Sequence, residues 1–209
     1  MMFYDYYADV PEDTLRAFVE SQQLGRLVSA GPDGQPHIGL YPFLFLGDRI
    51  EIHLHRNDEQ ATDLAGNRHC SFEVDEVLAA VPSHWIHATN AMFATAYHRA
   101  VIFECDALVS DDPEVLAAQQ QRLMQHYQPD GGHTAVTTEH AMYRGAFKEI
   151  RAVTLTVRVR KVKWKLAQNR NRDMREKVIR ELRARGRPTD GAAADALQWT
   201  LDREASKSI

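Results

Sequence analysis

Two cysteines in 209 residues cannot staple a small scaffold with disulfides. Cys70 lies in HCSFEVDE and Cys105 in AVIFECDALV, and in such strand-like apolar runs a free thiol behaves as a small hydrophobe. No apolar stretch approaches the ~20 residues that a membrane-spanning helix needs. The opening residues, MMFYDYYADVPED, are acidic and aromatic, without the basic start and apolar stretch of a secretory signal. A cytoplasmic protein with no membrane segment is therefore expected. Also lacking are HExxH and paired CxxC zinc motifs, a glycine-rich phosphate loop, a dinucleotide fingerprint and any Ser-His-Asp set. Gly31 and Gly34 have the spacing of a hairpin turn instead.

At 44% hydrophobic and 26% charged residues, the chain has the composition of an ordinary globular protein, and it is long enough to bury a core unaided. A single domain over residues 1–187 is expected. The Ala- and Asp-rich stretch 188–209 is low in complexity and reads as a partly mobile tail. The formal net charge of −4 is unevenly placed. Residues 158–187 hold 13 Lys/Arg against 3 Asp/Glu, a local balance of +10. Such a segment fits either an anionic partner such as nucleic acid or a basic helix packed on an acidic body; the second reading is preferred.

Periodicity and turn residues place the elements. Residues 13–22 read as a helix, with Leu15, Phe18 and Val19 at helical spacing. Three strands follow, over 26–30, 36–46 and 49–55. The first two are joined by Gly31-Pro32-Asp33-Gly34 and the last two by Gly47-Asp48. In the third strand Ile50, Ile52 and Leu54 alternate with Glu51, His53 and His55, which predicts one apolar and one polar face. A short helix is expected over 57–67 with Asn57 or Asp58 as cap, then a strand over 69–76, a long loop over 77–95 and a strand over 96–109. A helix over 113–127, a short helix near 139–146, a strand over 152–166 and an amphipathic helix over 171–185 complete the reading. Short spacings and hairpin signals predict a mainly β protein, an antiparallel barrel with peripheral helices.

Four constellations could carry chemistry. The strand-to-helix junction at 49–64 ends in Arg56 and a capped helix, a natural place for an anion. Ten histidines include His53-x-His55 and His84-Trp-Ile-His87, yet no three- or four-ligand zinc spacing is present and no metal site is expected. In the loop VPSHWIHATNAMF, Trp85 and Phe93 could either cover a planar ring or fill the core beneath. KWKLAQNR, residues 163–170, gathers cations, amides and an indole at a strand end. From the residues alone, the chain reads as a β-rich domain in which the junction at 49–64 is either an anion-binding pocket or a solvated strand end.

Taken in order, these segments resemble a known family. GRLVSAGPDGQPHIGLYPFLF, then RIEIHLHR before a helix, resembles the opening of the pyridoxamine 5'-phosphate oxidase-like FMN-binding split β-barrels. The run from CSFEVDE to YHRAVIFECDALVSDDPEVLAAQQQRLMQHYQP is similar to the nitroimidazole-resistance, NimA-type branch. KWKLAQNR before a basic helix is similar to the PaiB branch of FMN-binding negative transcriptional regulators. The resemblance implies a homodimer with FMN at the seam between subunits. It places the flavin along His37, Ile38, Gly39 and Leu40 and along His53, Leu54 and His55. It puts the phosphate near Arg56, Asn57 and Gln60, and it has the other subunit supply Trp85, Tyr97, His98 and Arg99. One departure stands out: Asp58-Glu59-Gln60 occupies the place where the oxidase pattern has Ser-Arg-Lys, and like charges disfavour a phosphate.

The leading expectation is thus an FMN-dependent, redox-active flavoprotein acting on a small-molecule substrate. Catalytic residues are left unassigned; His53 and His98 titrate in a range that suits proton donation and are read first as binding or packing residues. The alternatives are a PaiB-like regulator that binds DNA through its basic segment, and a non-catalytic binder of another planar ligand such as haem.

Overall fold

Turn chemistry sets the first strands. The computed structural model describes residues 3–207. After a single turn, α1 (Asp5–Ala8), the amphipathic α2 (Glu12–Ser21) buries Leu15, Phe18 and Val19. The chain then runs along β1 (Gly25–Ala30) and returns along β2 (Pro36–Tyr41). Between them Gly34 takes φ +82°, open to a residue without Cβ, and Gly31 N–H closes the turn on the Gln35 carbonyl at 2.8 Å. This register pairs Val28 with Ile38 and Arg26 with Leu40. Next come β3 (Leu44–Phe45) and β4 (Arg49–His55), joined through Gly47 at φ +90°.

The single strand expected over 36–46 is therefore two. Pro42 has no N–H for a ladder, and the chain leaves β1 there and pairs with β4 instead. In β4, Ile50, Ile52 and Leu54 are all within 1% of full burial, as the alternation predicts.

The remaining elements are α3 (Glu59–Gly66), β5 (His69–Val81), β6 (Thr95–Ser110), α4 (Pro113–Tyr127), α5 (Ala146–Glu149), β7 (Ile150–Lys165), α6 (Arg172–Arg185) and α7 (Asp190–Lys207). Seven strands form one antiparallel sheet in the order β2-β1-β5-β6-β7-β4-β3. The loop expected from residue 77 starts later, because β5 continues to Val81 and buries Leu78, Ala79 and Val81. The rest of that loop contains two 3-10 turns, Ser83–Trp85 and Ala91–Phe93. The short helix expected near 139–146 resolves into a 3-10 turn, Ala141–Tyr143, and α5. Among the described residues no helix is long and apolar enough to cross a membrane.

The chain divides into two compact units. The first comprises Glu12–Val74 and Ile102–Arg160. Its core packs Phe43 against Phe72 at 5.2 Å and Phe45 against Phe103 at 5.3 Å between ring centroids. Cys70 and Cys105 are buried there, and burial pushes both thiols up to about 12, so each acts as a small apolar group.

The second unit comprises the described residues before Glu12, Asp75–Val101 and the described residues after Arg160. The stretch 188–209, read as a partly mobile tail, is helical over Asp190–Lys207, and residues 208–209 lie outside the described residues. Low complexity reflected alanines, which are good helix formers with small side chains. Ala193, Ala194, Ala196, Leu197 and Leu201 are all buried. α6 ends at Gly186, whose φ of +65° lets its N–H return to the Leu182 carbonyl, and the chain turns back into α7. Val178, Ile179 and Leu182 of α6 are buried, as is the Arg175 side chain, which donates to Thr200 at 3.1 Å and to Glu204 at 2.5 Å.

Candidate functional site

β2 is an edge strand, and its two faces differ sharply. Ile38 is 66% exposed and Leu40 56% exposed. They stand out as a contiguous apolar strip, which a solvated edge strand normally avoids. On the opposite face His37, Gly39 and Tyr41 meet α3. Gly39 is required by this contact: a Cβ there would lie 2.3 Å from the Tyr41 hydroxyl and 2.4 Å from Gln60 Oε1.

Gln60 joins the layers. Its buried amide lies 3.1 Å from each of three acceptors, the carbonyls of Leu27 and His37 and the Ser29 hydroxyl, while its oxygen accepts from Tyr41 at 2.7 Å. Its side chain is thus fully engaged within the fold. Asp63, also buried, accepts from Ser29 at 2.7 Å and pairs with His37 Nδ1 at 2.7 Å. That hydrogen bond raises the His37 pKa above its usual value, aided by the charges of Asp63 and Glu59.

The acidic departure at the start of α3 has a structural use. Asp58 caps the helix, accepting from Gln60 N–H at 2.9 Å, and also accepts from Tyr41 at 2.9 Å. A carboxylate of the protein therefore already sits at the positive end of the helix dipole.

At the end of β4 the predicted residues separate. Leu54 belongs to the core. His53 shares a polar face with Glu51, which takes a two-pronged hydrogen bond from Arg122 of α4. Burial lowers the His53 pKa, and its Nδ1 is buried with no hydrogen-bond partner among the described residues. His55 is exposed; it accepts from Asn57 N–H at 3.1 Å and lies 3.6 Å from Glu149. The Asn57 side chain is exposed.

Arg56 points elsewhere than α3. It donates to the Lys148 carbonyl at 2.9 Å and pairs with Asp111 at 2.7 Å. Arg151 grips the same carboxylate at 3.0 and 3.2 Å. Two guanidinium groups sharing one carboxylate leave positive charge over, and Arg56 lines a cavity of about 620 Å³ with Arg144, Lys148, Thr138 and Phe147. Residues 133–150 have no regular period, so Arg144, Phe147 and Lys148 went unnoticed. Their signal, two cations flanking an aromatic, is too common to stand out.

The other predicted group lies in the second unit. Trp85 is buried and packs under the Arg185 guanidinium at 4.8 Å, so it fills the core. Tyr97 is buried, which pushes its hydroxyl up to about 12. Arg99 lies 4.7 Å over Trp164 and bonds Glu76 at 3.4 Å. His98 is half-buried on the same strand.

Five of the 13 cations of the basic segment pair with carboxylates elsewhere in the chain. Arg158 pairs with Asp106 and Arg160 with Glu12 in the first unit. In the second, Arg175 pairs with Glu204, Arg183 with Asp195 and Arg185 with Asp190.

Comparisons with known proteins agree with this architecture. A conserved hypothetical protein from Mycobacterium tuberculosis superposes with a TM-score of 0.59 at 19% identity, covering 79% of this chain and 91% of its own. An FAD and haem binding protein from Mycobacterium smegmatis gives a TM-score of 0.63 at 14% identity, over 80% and 77% of the two chains. A flavocytochrome from Azotobacter vinelandii gives 0.58 at 15%, over 74% and 67%. These likenesses show the fold, that of the split barrels related to pyridoxamine 5'-phosphate oxidase. A search of curated protein sequences found no significant match. The model of the family described as "Putative FMN-binding domain" matches residues 1–159, and the chain belongs to that family.

Proposed function

We propose that the chain is an FMN-binding, redox-active flavoprotein that works as a homodimer on a small-molecule substrate. The observation that carries this reading is the family match over residues 1–159. When bound, the flavin supplies hydride or electron transfer at its ring system, and the protein supplies orientation, dryness and charge.

The residues present fit such a group. Ile38 and Leu40 offer exposed apolar surface that can cover a planar ring and keep water from it. The cavity at Arg56, Arg144 and Lys148 offers cations for a phosphate. The start of α3 suits it less, since Asp58 already caps that helix. We therefore assign the phosphate to the Arg56 cavity, and Gln60 and Asp58 to holding α3 against β2. His53, half-buried and with its pKa lowered by burial, packs within the strand face. The pairing of Arg158, Arg160, Arg175, Arg183 and Arg185 with internal carboxylates removes much of the charge that a DNA-binding regulator would use.

An absorbance spectrum of the purified protein, before and after adding FMN and desalting, tests the reading. A retained two-banded flavin spectrum that a chemical reductant bleaches is expected. FAD and haem, both named for the Mycobacterium smegmatis relative, are the rival occupants; a Soret band would mark haem, and chromatography of the released flavin separates FMN from FAD. Arg56→Ala should weaken FMN retention by about tenfold, the loss of one charge-assisted contact. Unchanged affinity would remove the phosphate assignment and leave the cofactor reading to the spectrum.

A further inference from the structure

The second unit holds a cavity of about 280 Å³ at the KWKLAQNR turn; Lys165, Ala167, Asn169 and Arg170 of its lining lie beyond the part of the chain matched by the family model. We propose that this cavity is a second anion site, distinct from the flavin's, which binds the phosphate group of a small phosphate monoester through Lys165 and Arg170.

Uncompensated charge is the first ground. Lys163, Lys165 and Arg170 gather here, and among the described residues no carboxylate forms an ion pair with any of them, unlike the five arginines of the basic segment paired above. Arg170 lies 4.9 Å over Phe93, and Lys163 lies 5.9 Å over Tyr7. The aromatic faces orient these cations and leave their charge in place. Lys165 feels the crowding: partial burial and the neighbouring Lys163 and Arg170 lower its pKa. Lys165 and Arg170 line the cavity and Lys163 adds like charge beside Lys165; these charges repel each other, and an entering dianion relieves that repulsion.

Donor geometry is the second ground. Lys165 donates to Thr95 Oγ1 at 2.6 Å, so the threonine O–H remains available to an anion. Tyr97, whose hydroxyl stays protonated through the physiological range, also lines the cavity. Phe93 and Tyr97 supply apolar wall for the carbon part of a ligand.

The turn itself is the third ground. Ala167 is held at φ +64°, the only non-glycine with positive φ among the described residues. Such strain persists where surroundings over-determine it, and it clusters at ligand sites. Gln168 does the holding. Its Oε1 accepts from Leu166 N–H at 2.7 Å and its Nε2 donates to the Trp164 carbonyl at 2.6 Å. Arg170 N–H then bonds the Ala167 carbonyl at 2.8 Å. The sequence A-Q-N-R thus reads as a strained corner, a clamp, and two presented side chains.

Inorganic phosphate, titrated into the full chain loaded with FMN by calorimetry at low ionic strength, is the test. Saturable binding at one phosphate per chain in this cavity is expected. Lys165→Met and Arg170→Met should each weaken it by about tenfold, and Lys165→Arg should preserve most of it. Arg56→Ala should leave this site intact, and FMN retention should be unchanged in Lys165→Met and Arg170→Met. Circular dichroism and a thermal melt check that each variant folds; if one does not, the other and Lys165→Arg carry the test. The absence of saturable phosphate binding, affinity unchanged in both methionine variants, or acetate binding more tightly than phosphate would each overturn the proposal. So would loss of FMN in the methionine variants while Arg56→Ala retains it, because the cavity would then be the flavin's own.

Discussion

His37 owes its raised pKa to one carboxylate, Asp63, whose oxygen lies 2.7 Å from Nδ1. Because the folded value lies above the usual 6.5, the pair contributes stability that is fully present below the unfolded pKa. That contribution is lost as pH rises through the folded value. In an NMR titration of the ring protons, His37 should therefore have a midpoint above 6.5, and Asp63→Asn should bring it down to that value or lower. An unmoved midpoint would assign the shift to another group. The sequence made His37 visible and left Asp63 dark, because 26 residues separate the partners and only the docking of α3 on β2 brings them together. Gln60 was legible as a residue near the start of a helix. Its role was not, since four hydrogen bonds to two different strands leave no local trace. Arg56 was read correctly as a cation at a strand end, while its surroundings came from the irregular stretch 133–150.

Elements were legible where period and punctuation agreed. β4 alternates cleanly, α4 opens on Asp112-Pro113, and α6 is capped by Asn171 and ended by Gly186. Pattern failed where chemistry was small or mixed. VLAAV at the end of β5 has no clean alternation, and Pro42 divided a run that looked continuous. The alanines of α7 concealed a structural helix as low-complexity tail. If α7 is integral to the second unit, Leu197→Ala should cost about 3 kcal/mol of unfolding free energy, as large-to-small changes at fully buried sites do. The exposed Asp202→Ala, on the same helix, should cost well under about 1 kcal/mol. Denaturant unfolding curves measure both. A Leu197→Ala cost as small as that at Asp202 would mean that α7 contributes little to the unit.

For the molecule as a whole, the issue is self-association. A formal net charge of −4 keeps like copies only mildly repelled, and the sheet presents an edge strand carrying Ile38 and Leu40. Exposed edges invite pairing unless a partner covers them, and a two-fold interface would bury the same strip on both copies at once. Under the proposed function that strip also faces the flavin, so assembly and cofactor retention are coupled. Light scattering on a sizing column should find a dimer for the native chain. Ile38→Asp combined with Leu40→Asp should give a monomer, since burying four carboxylates at one seam is costly. Both side chains are exposed in the single chain, so circular dichroism should show the fold retained. The monomer should also lose FMN on desalting. A double variant that stays dimeric would move the interface to another face. A monomer that keeps its flavin would show that one subunit is enough to hold the cofactor, and would leave Trp85, Tyr97, His98 and Arg99 with structural work alone.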